Sequence, residues 1–289
     1  MNKIDGMDVE VRQLRCLLAV VEEGTFTDAA IGLGMSQAAV SRNISGLEQV
    51  LGVRLLERTT RSVGLTPSGE RVVAKARRVL SLLGDLEREA RSGTGKIRIG
   101  YAWSALGEHT MEFQRRWAVA IPGVELQLLH SNSPTGGLAE GTTDLAILRR
   151  LPDAAGVEHA RIGEEKRYCA MSSDDPLAAR RSVTMAQVAQ RPVAMDLRTG
   201  STTLELWAQE ERPDIVPIND VDDWLTTIGS GAARGMTAAS TAHQYRRRGI
   251  IYRPVRDAPS VSVYLAWSTK DPPQERRRIV ELLIGLYSG

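Results

Sequence analysis

The sequence predicts an α/β protein in two parts: a largely helical N-terminal domain with one short β-ribbon, and a larger C-terminal domain of alternating strands and helices. Three observations carry this. At 289 residues the chain is long for one typical domain and suits two. Its composition breaks sharply at Arg91-Ser92-Gly93-Thr94-Gly95-Lys96. Beyond that point, short apolar runs alternate with helical segments.

In the first part, Leu14, Leu17, Leu18 and Val21 form a helical stripe within 12–23, and Gly24 can end that helix. Thr27 is expected to cap a second helix over 28–33, closed by Gly34. Ser36 is expected to cap a third helix running to about Leu51, with Met35 and Val40 placed for a hydrophobic staple. In that helix Val40, Ile44, Leu47 and Leu51 share one face. Ala38, Arg42 and Ser45 point the other way, flanked by Gln37 and Ser41. A solvated face would more often carry Glu and Lys. This face instead carries groups that suit base edges: Gln for adenine, Arg for guanine, Ala against a thymine methyl.

Arg54–Thr66 reads as two short strands around a turn. Across 54–78 stand Arg54, Arg58, Arg61, Arg71, Lys75, Arg77 and Arg78 against Glu57 and Glu70, in a chain whose total charge is only +2. Local concentration of cations beside a helix of this kind suits phosphate binding. The expected DNA-facing set is Thr27, Ser36, Gln37, Ala38, Ser41, Arg42, Ser45, Arg58, Thr60, Arg61 and Thr66. Thr66-Pro67 then starts a long helix, in which Val72, Ala76, Val79, Leu83, Leu86 and Ala90 recur at alternating spacings of four and three. That heptad seam predicts dimerisation through Val72, Ala76, Val79, Leu83 and Leu86, with packing of the stripe on its own domain as the alternative.

These residues carry a family resemblance. Phe26-Thr27-Asp28-Ala29-Ala30, Ser36-Gln37-Ala38-Ala39-Val40-Ser41-Arg42-Asn43-Ile44, Leu47-Glu48, Leu51-Gly52, Leu55-Leu56-Glu57-Arg58 and Leu65-Thr66-Pro67-Ser68-Gly69 resemble the LysR-type transcriptional regulators. Many relatives have Pro where Ala38 stands and Phe where Leu56 stands. The resemblance implies a winged helix-turn-helix over 7–66, a dimerising linker helix over 67–92, a hinge at 93–96, and an effector domain over 97–289 similar to type 2 periplasmic binding proteins. Lobe one is expected over 97–165 and 265–289, and lobe two over 166–264. The resemblance further implies homodimers assembled into homotetramers on double-stranded promoter DNA. Where relatives often show Gly-x-Gly and then Pro, this chain has Ala233-Arg234-Gly235-Met236-Thr237-Ala238.

In the second part, strands are expected at 96–100, read as edge-accessible, at 124–129 and at 144–148, with a helix near 111–117 and a mostly parallel sheet. A hinged two-lobe domain binds its ligand between the lobes, beyond the C-terminal ends of the strands. Ser104, Ser131, Asn132 and Ser133 follow strands, and Arg149 follows the third. Ser201, Thr202 and Thr203 are expected to open a helix reaching Glu211. Hydroxyls at helix starts with one cation predict a small anionic effector.

Other function classes find little support. Gly229–Gly235 does not match a dinucleotide fingerprint, and Ser201 lacks a nucleophile-elbow context. His109, His130, His159 and His243 stand singly, without metal spacing. No catalytic residue, cofactor or metal is expected. Cys16 and Cys169 are too few and too distant for a disulfide framework, and Cys169 is a candidate thiol sensor without an evident resolving partner. The polar N-terminus does not read as a signal peptide, so a cytoplasmic protein without membrane contact is expected.

Overall fold

The structure, a computed structural model, describes residues 9–58, 63–92 and 95–288. It divides into two compact units, residues 1–93 with 139–142, and residues 94–138 with 143–289.

The first unit is built on α1 (Val11–Glu23), α2 (Phe26–Gly32) and α3 (Gln37–Leu51). α1 ends at Gly24, whose φ of 74° is the left-handed conformation that glycine tolerates best. α2 begins two residues earlier than the sequence suggested. Its cap is Thr25, whose hydroxyl accepts from the Asp28 N–H at 3.0 Å, so Thr27 lies inside the first turn and caps nothing. Both threonines suit an N-cap. The Asp28 carboxylate, which accepts from the Thr25 hydroxyl, decides between them. Ser36 caps α3 as expected, accepting from the Ala39 N–H at 3.2 Å. Leu14, Leu17, Val20, Ala29, Val40, Ile44 and Leu47 form the buried core.

β1 (Leu56–Arg58) and β2 (Val63–Leu65) pair antiparallel, Leu56 opposite Leu65 and Arg58 opposite Val63. Thr66 accepts from the Gly69 N–H at 2.9 Å and so caps α4 (Pro67–Ser92), whose 26 residues span roughly 39 Å.

The seam on α4 divides. Val73 and Ala76 are buried in the first unit's own core, with Val72 and Leu80 packed against it. Packing of that turn on its own domain therefore replaces the expected intermolecular contact for Val72 and Ala76. Val79, Leu82 and Leu86 remain exposed, Leu86 by 63%.

The second unit holds two five-stranded sheets, one in each of the two expected lobes. The first has the order β4-β3-β5-β12-β6, from β3 (Gly95–Tyr101), β4 (Val124–His130), β5 (Leu145–Leu148), β6 (Val157–Glu165) and β12 (Val261–Ser268). β3 is parallel to both β4 and β5, while β12 runs antiparallel to β5 and β6. The sheet is thus mixed, and β3 is interior, not an accessible edge. α5 (Thr110–Ala120) and α9 (Arg276–Tyr287) cover it, burying Phe113, Trp117, Ile279 and Leu283 against Ile99, Ile147 and Leu265.

The second sheet has the order β11-β7-β10-β8-β9, from β7 (Arg167–Ser172), β8 (Val193–Met195), β9 (Ile215–Pro217), β10 (Arg234–Ala238) and β11 (Ile250–Pro254). α6 (Met185–Val188) and Trp207 pack on one face, and α7 (Val221–Gly229) on the other. α8 (Ala239–Gln244) follows β10 directly. Gly235 is where the Trp224 ring seats, since a Cβ there would lie 2.3 Å from it.

The chain passes between the sheets at Lys166 and again at Pro259-Ser260. All of β12 pairs within the first sheet, so the return to the first lobe precedes Val261 rather than falling at 265. Residues 204–206 and 209–211 form only two short 3-10 turns, in place of the expected helix to Glu211.

Candidate nucleic-acid interface and inter-lobe cleft

The geometry of α3 follows from its apolar period. With Val40, Ile44 and Leu47 fully buried, Ser36, Gln37, Ala38, Arg42 and Ser45 are left exposed and Ser41 half-buried. Asn43 turns inward instead, donating to the Ala39 carbonyl at 2.8 Å. Glu48 is also used internally, accepting from the Leu55 and Leu56 N–H groups and so fixing where β1 leaves α3. Thr66 is occupied as a cap, and its hydroxyl donates to the Arg54 carbonyl at 2.7 Å. Thr60 and Arg61 lie outside the described residues, as does the side chain of Arg58.

In the second unit the sequence-selected residues gather around the seam between the two sheets, but most are already occupied. Ser104 is fully buried, its hydroxyl within 2.8 Å of that of Ser240 and 3.2 Å of that of Thr241. Ser133 folds a tight turn, accepting from the Thr135 and Gly137 N–H groups. The Ser131 N–H donates to the Tyr101 carbonyl. Thr202 is buried and donates to the Met236 carbonyl at 2.6 Å. Ser201 offers its carbonyl to Arg167 at 3.1 Å, and Thr203 stands just before the short turn over 204–206. Asn132 is exposed and crosses between lobes, donating to the Asn219 carbonyl at 2.8 Å.

Arg149 is committed within the fold. It does not present a free cation to the cleft. Its guanidinium pairs with Glu165 at 2.7 Å and donates to the carbonyls of Ser104 at 2.6 Å and Ala105 at 2.8 Å. Burial opposes ionisation of Glu165, but the Arg149 guanidinium and the Ser240 hydroxyl and N–H outweigh it, holding the carboxyl at about 2. Tyr287 donates to the same carboxylate at 2.8 Å. Arg149 thus ties β5 to β6 and, through Glu165 and Ser240, to α8. A strand-end Arg is open or committed depending on whether an acidic partner reaches it. Here that partner lies 16 residues away on another strand, which no local pattern reveals.

Besides Asn132, the bonds between the lobes involve groups that sequence reasoning did not select. Trp103 donates to the Thr199 hydroxyl at 2.9 Å, and Thr199 in turn donates to buried Asp196. Arg150 bonds the Leu197 carbonyl at 2.9 Å across the lobes, and Arg198 the Asn219 carbonyl at 3.1 Å. The Trp103 and Trp224 rings meet edge to face at 5.5 Å. Trp103, one residue before Ser104, was the available signal, because an aromatic just past a strand's C-terminal end points to a ligand wall.

Cys169 is fully buried, and burial pushes its thiol up to about 12, which removes the thiolate a sensor requires. Among the described residues no group of three or more His, Cys, Asp or Glu could hold a metal ion, and no helix is long and apolar enough to cross a membrane.

Comparison with known proteins agrees over both units. The profile described as "Bacterial regulatory helix-turn-helix protein, lysR family" matches residues 11–70, and that described as "LysR substrate binding domain" matches residues 90–285. The chain is 32% identical to the uncharacterized HTH-type transcriptional regulator YnfL of Escherichia coli (strain K12), over 97% of this chain and 100% of that protein. It is 31% identical to the HTH-type transcriptional regulator TfdS of Cupriavidus pinatubonensis, over 81% of this chain and 84% of that one. Among solved structures, CbnR, a LysR family transcriptional regulator, superposes with a TM-score of 0.74 at 25% identity, covering 96% of this chain and 99% of that one. Full-length CbnR in complex with its target DNA superposes with a TM-score of 0.70 at the same identity and coverage.

Proposed function

Because this chain belongs to the LysR family of bacterial transcriptional regulators, we propose that α3 reads its operator through Gln37, Ala38, Ser41, Arg42 and Ser45, and that a small anionic effector closes the cleft between the two lobes. The family is one of DNA-binding regulators carrying a substrate-binding effector domain, not of enzymes.

The observation that carries the DNA reading is the exposed face of α3. It offers hydrogen-bonding and small side chains beside helix ends capped by Thr25 and Ser36. Gln37 and Arg42 take base edges, and Arg58, Thr60 and Arg61 take phosphates. Ser36, Thr27 and Thr66 stand at helix starts, where backbone N–H groups suit a phosphate.

For the effector, the anionic reading rests on Arg150 and Arg198 in place of Arg149. Arg150 reaches across the lobes to the Leu197 carbonyl and Arg198 bonds the Asn219 carbonyl within the second lobe, and an anion can displace either bond at little loss. Trp103, Asn132 and Thr199 complete the wall. The effector acts by favouring one lobe arrangement, and shifts it only by its difference in affinity for the two states. The protein works as a homodimer through α4, with two dimers forming a tetramer on neighbouring DNA sites, in the cytoplasm where that DNA lies.

Selection of bound sequences from a random duplex pool tests this. Recovery of one two-half-site motif supports the reading. Recovery of unrelated sequences, bound as well as the input pool, contradicts it. Loss of motif preference in Gln37→Ala and Arg42→Ala assigns the readout to α3.

A further inference from the structure

A second opening lies in the effector unit, away from the mouth formed by Trp103, Asn132, Thr199 and Arg198. It is a cavity of about 650 Å³, within the range that holds a small-molecule ligand. Leu106, Glu108 and His109, from the turn that precedes α5, form one side. α8 and the segment leading into β11 form the other, contributing His243, Arg246, Arg247 and Arg248.

The charge of this cavity is predominantly positive: exposed Glu108 stands on one side against Arg246, Arg247 and Arg248 on the other. Glu165 reaches its wall but is neutralised by Arg149, so it does not offset the cations. Arg253 is spent on the Ala178 carbonyl, at 2.7 Å, and on the Tyr252 carbonyl. Arg247 leans toward the Thr226 hydroxyl at 3.4 Å. Arg246 and Arg248 are exposed, and no ion pair among the described residues engages them. Consecutive arginines repel one another and hold their heads apart in water, so nothing within the fold requires three of them here. Tyr168, Tyr252, Ile250 and Ile251 supply an apolar floor beneath these cations. An apolar floor under a cationic rim suits a compact, multiply charged anion, whose oxygens arginine forks bind bidentately.

We infer that this cavity is a second ligand site, for a phosphate-bearing small anion, separate from the inter-lobe effector site. The two sites share a wall. Ser240 lines the cavity and bonds both Ser104 and Glu165, so a ligand seated against α8 reaches the seam between the lobes through one side chain. The site goes beyond the effector reading, and holds or fails independently of it.

The test is calorimetry on the full chain with sodium pyrophosphate as the probe, in phosphate-free buffer at low and at moderate salt. One site per chain is expected, with affinity falling as salt rises. Arg246→Ala with Arg248→Ala should weaken binding at least tenfold. Ala242→Glu, which sets a carboxylate into a half-buried cavity wall, should abolish it, while Ala242→Gln, of equal size, should retain it. Circular dichroism confirms that each variant is folded. Absence of binding at millimolar pyrophosphate overturns the proposal, as does equal affinity in Ala242→Glu and Ala242→Gln. It is also overturned if the arginine variants lose affinity for DNA but not for pyrophosphate, since the cluster then serves the duplex.

Discussion

Arg149→Ala leaves Glu165 buried without its guanidinium. In the native protein the pair is closed at 2.7 Å with both side chains more than nine-tenths buried, and Arg149 also donates to two backbone carbonyls. Removing one partner of such a pair typically costs about 3–5 kcal/mol, because the remaining charge is uncompensated. For a unit of this size that corresponds to a fall in Tm on the order of 10 °C. The pH dependence separates this cause from simple loss of packing. In the wild type the Glu165 carboxyl is held at about 2, below its ordinary 4.5, so its contribution is complete above 4.5 and is lost as pH falls toward 2. In Arg149→Ala the Coulombic partner is gone and only the Ser240 and Tyr287 hydrogen bonds still oppose burial, so that carboxyl rises from its wild-type position. The penalty is then full at pH 7 and shrinks as protonation neutralises Glu165 toward pH 4. Arg149→Met combined with Glu165→Gln should recover most of the loss. Scanning calorimetry of the three proteins at pH 7 and pH 4 decides it. Wild-type Tm in Arg149→Ala, or an equal deficit at both pH values, would refute a charge-pair role. A deficit confined to effector binding, with Tm unchanged, would return Arg149 to the cleft.

Further outcomes follow from other positions. Cys169, fully buried with its thiol pushed to about 12, should resist iodoacetamide in the folded protein and react once denaturant is added, as read by mass spectrometry. Fast labelling of the native state would revive a sensing role. Gly235→Ala would set a Cβ 2.3 Å from the Trp224 ring, so its urea midpoint should fall by an amount equivalent to about 1–3 kcal/mol. On α4, Leu86→Glu should dissociate the assembly in light scattering while the helical signal persists. Ala76→Glu, at 2% exposure, should unfold the first unit instead. Equal behaviour of the two variants would mean the seam is not divided as described.

The N-terminal unit was legible because its signals are local. Gly24, Ser36, Gly52 and Thr66-Pro67 punctuate the helices within one turn of their observed ends, and the period of Val40, Ile44 and Leu47 fixes which side of α3 faces out. The slip at Thr25 is of the same local kind: two equivalent caps, decided by the aspartate at 28. On α4 the period was correct but its partner was not, since a heptad states that a stripe is covered and not by what. The C-terminal strands were found from their apolar runs, yet their order was hidden. β3 gains a neighbour on each side from segments 30 to 50 residues on, and β12 returns from the far end of the chain. The cleft was least legible because a polar residue after a strand serves a ligand or the fold according to distant partners. Ser104 and Arg149 are taken by Ser240 and Glu165, which leaves Trp103, Thr199 and Arg198 as the proposed ligand wall.

Arg42→Ala measures most directly whether α3 carries sequence readout. Its affinity for the selected operator and for a scrambled duplex of equal length is titrated by fluorescence anisotropy at several salt concentrations, beside the wild type. A base contact predicts a loss of about 1–3 kcal/mol on the operator, little change on the scrambled duplex, and hence a collapsed preference. Equal losses on both duplexes, with the salt slope reduced by about one, would make Arg42 a phosphate contact and contradict the assignment of this face to base reading.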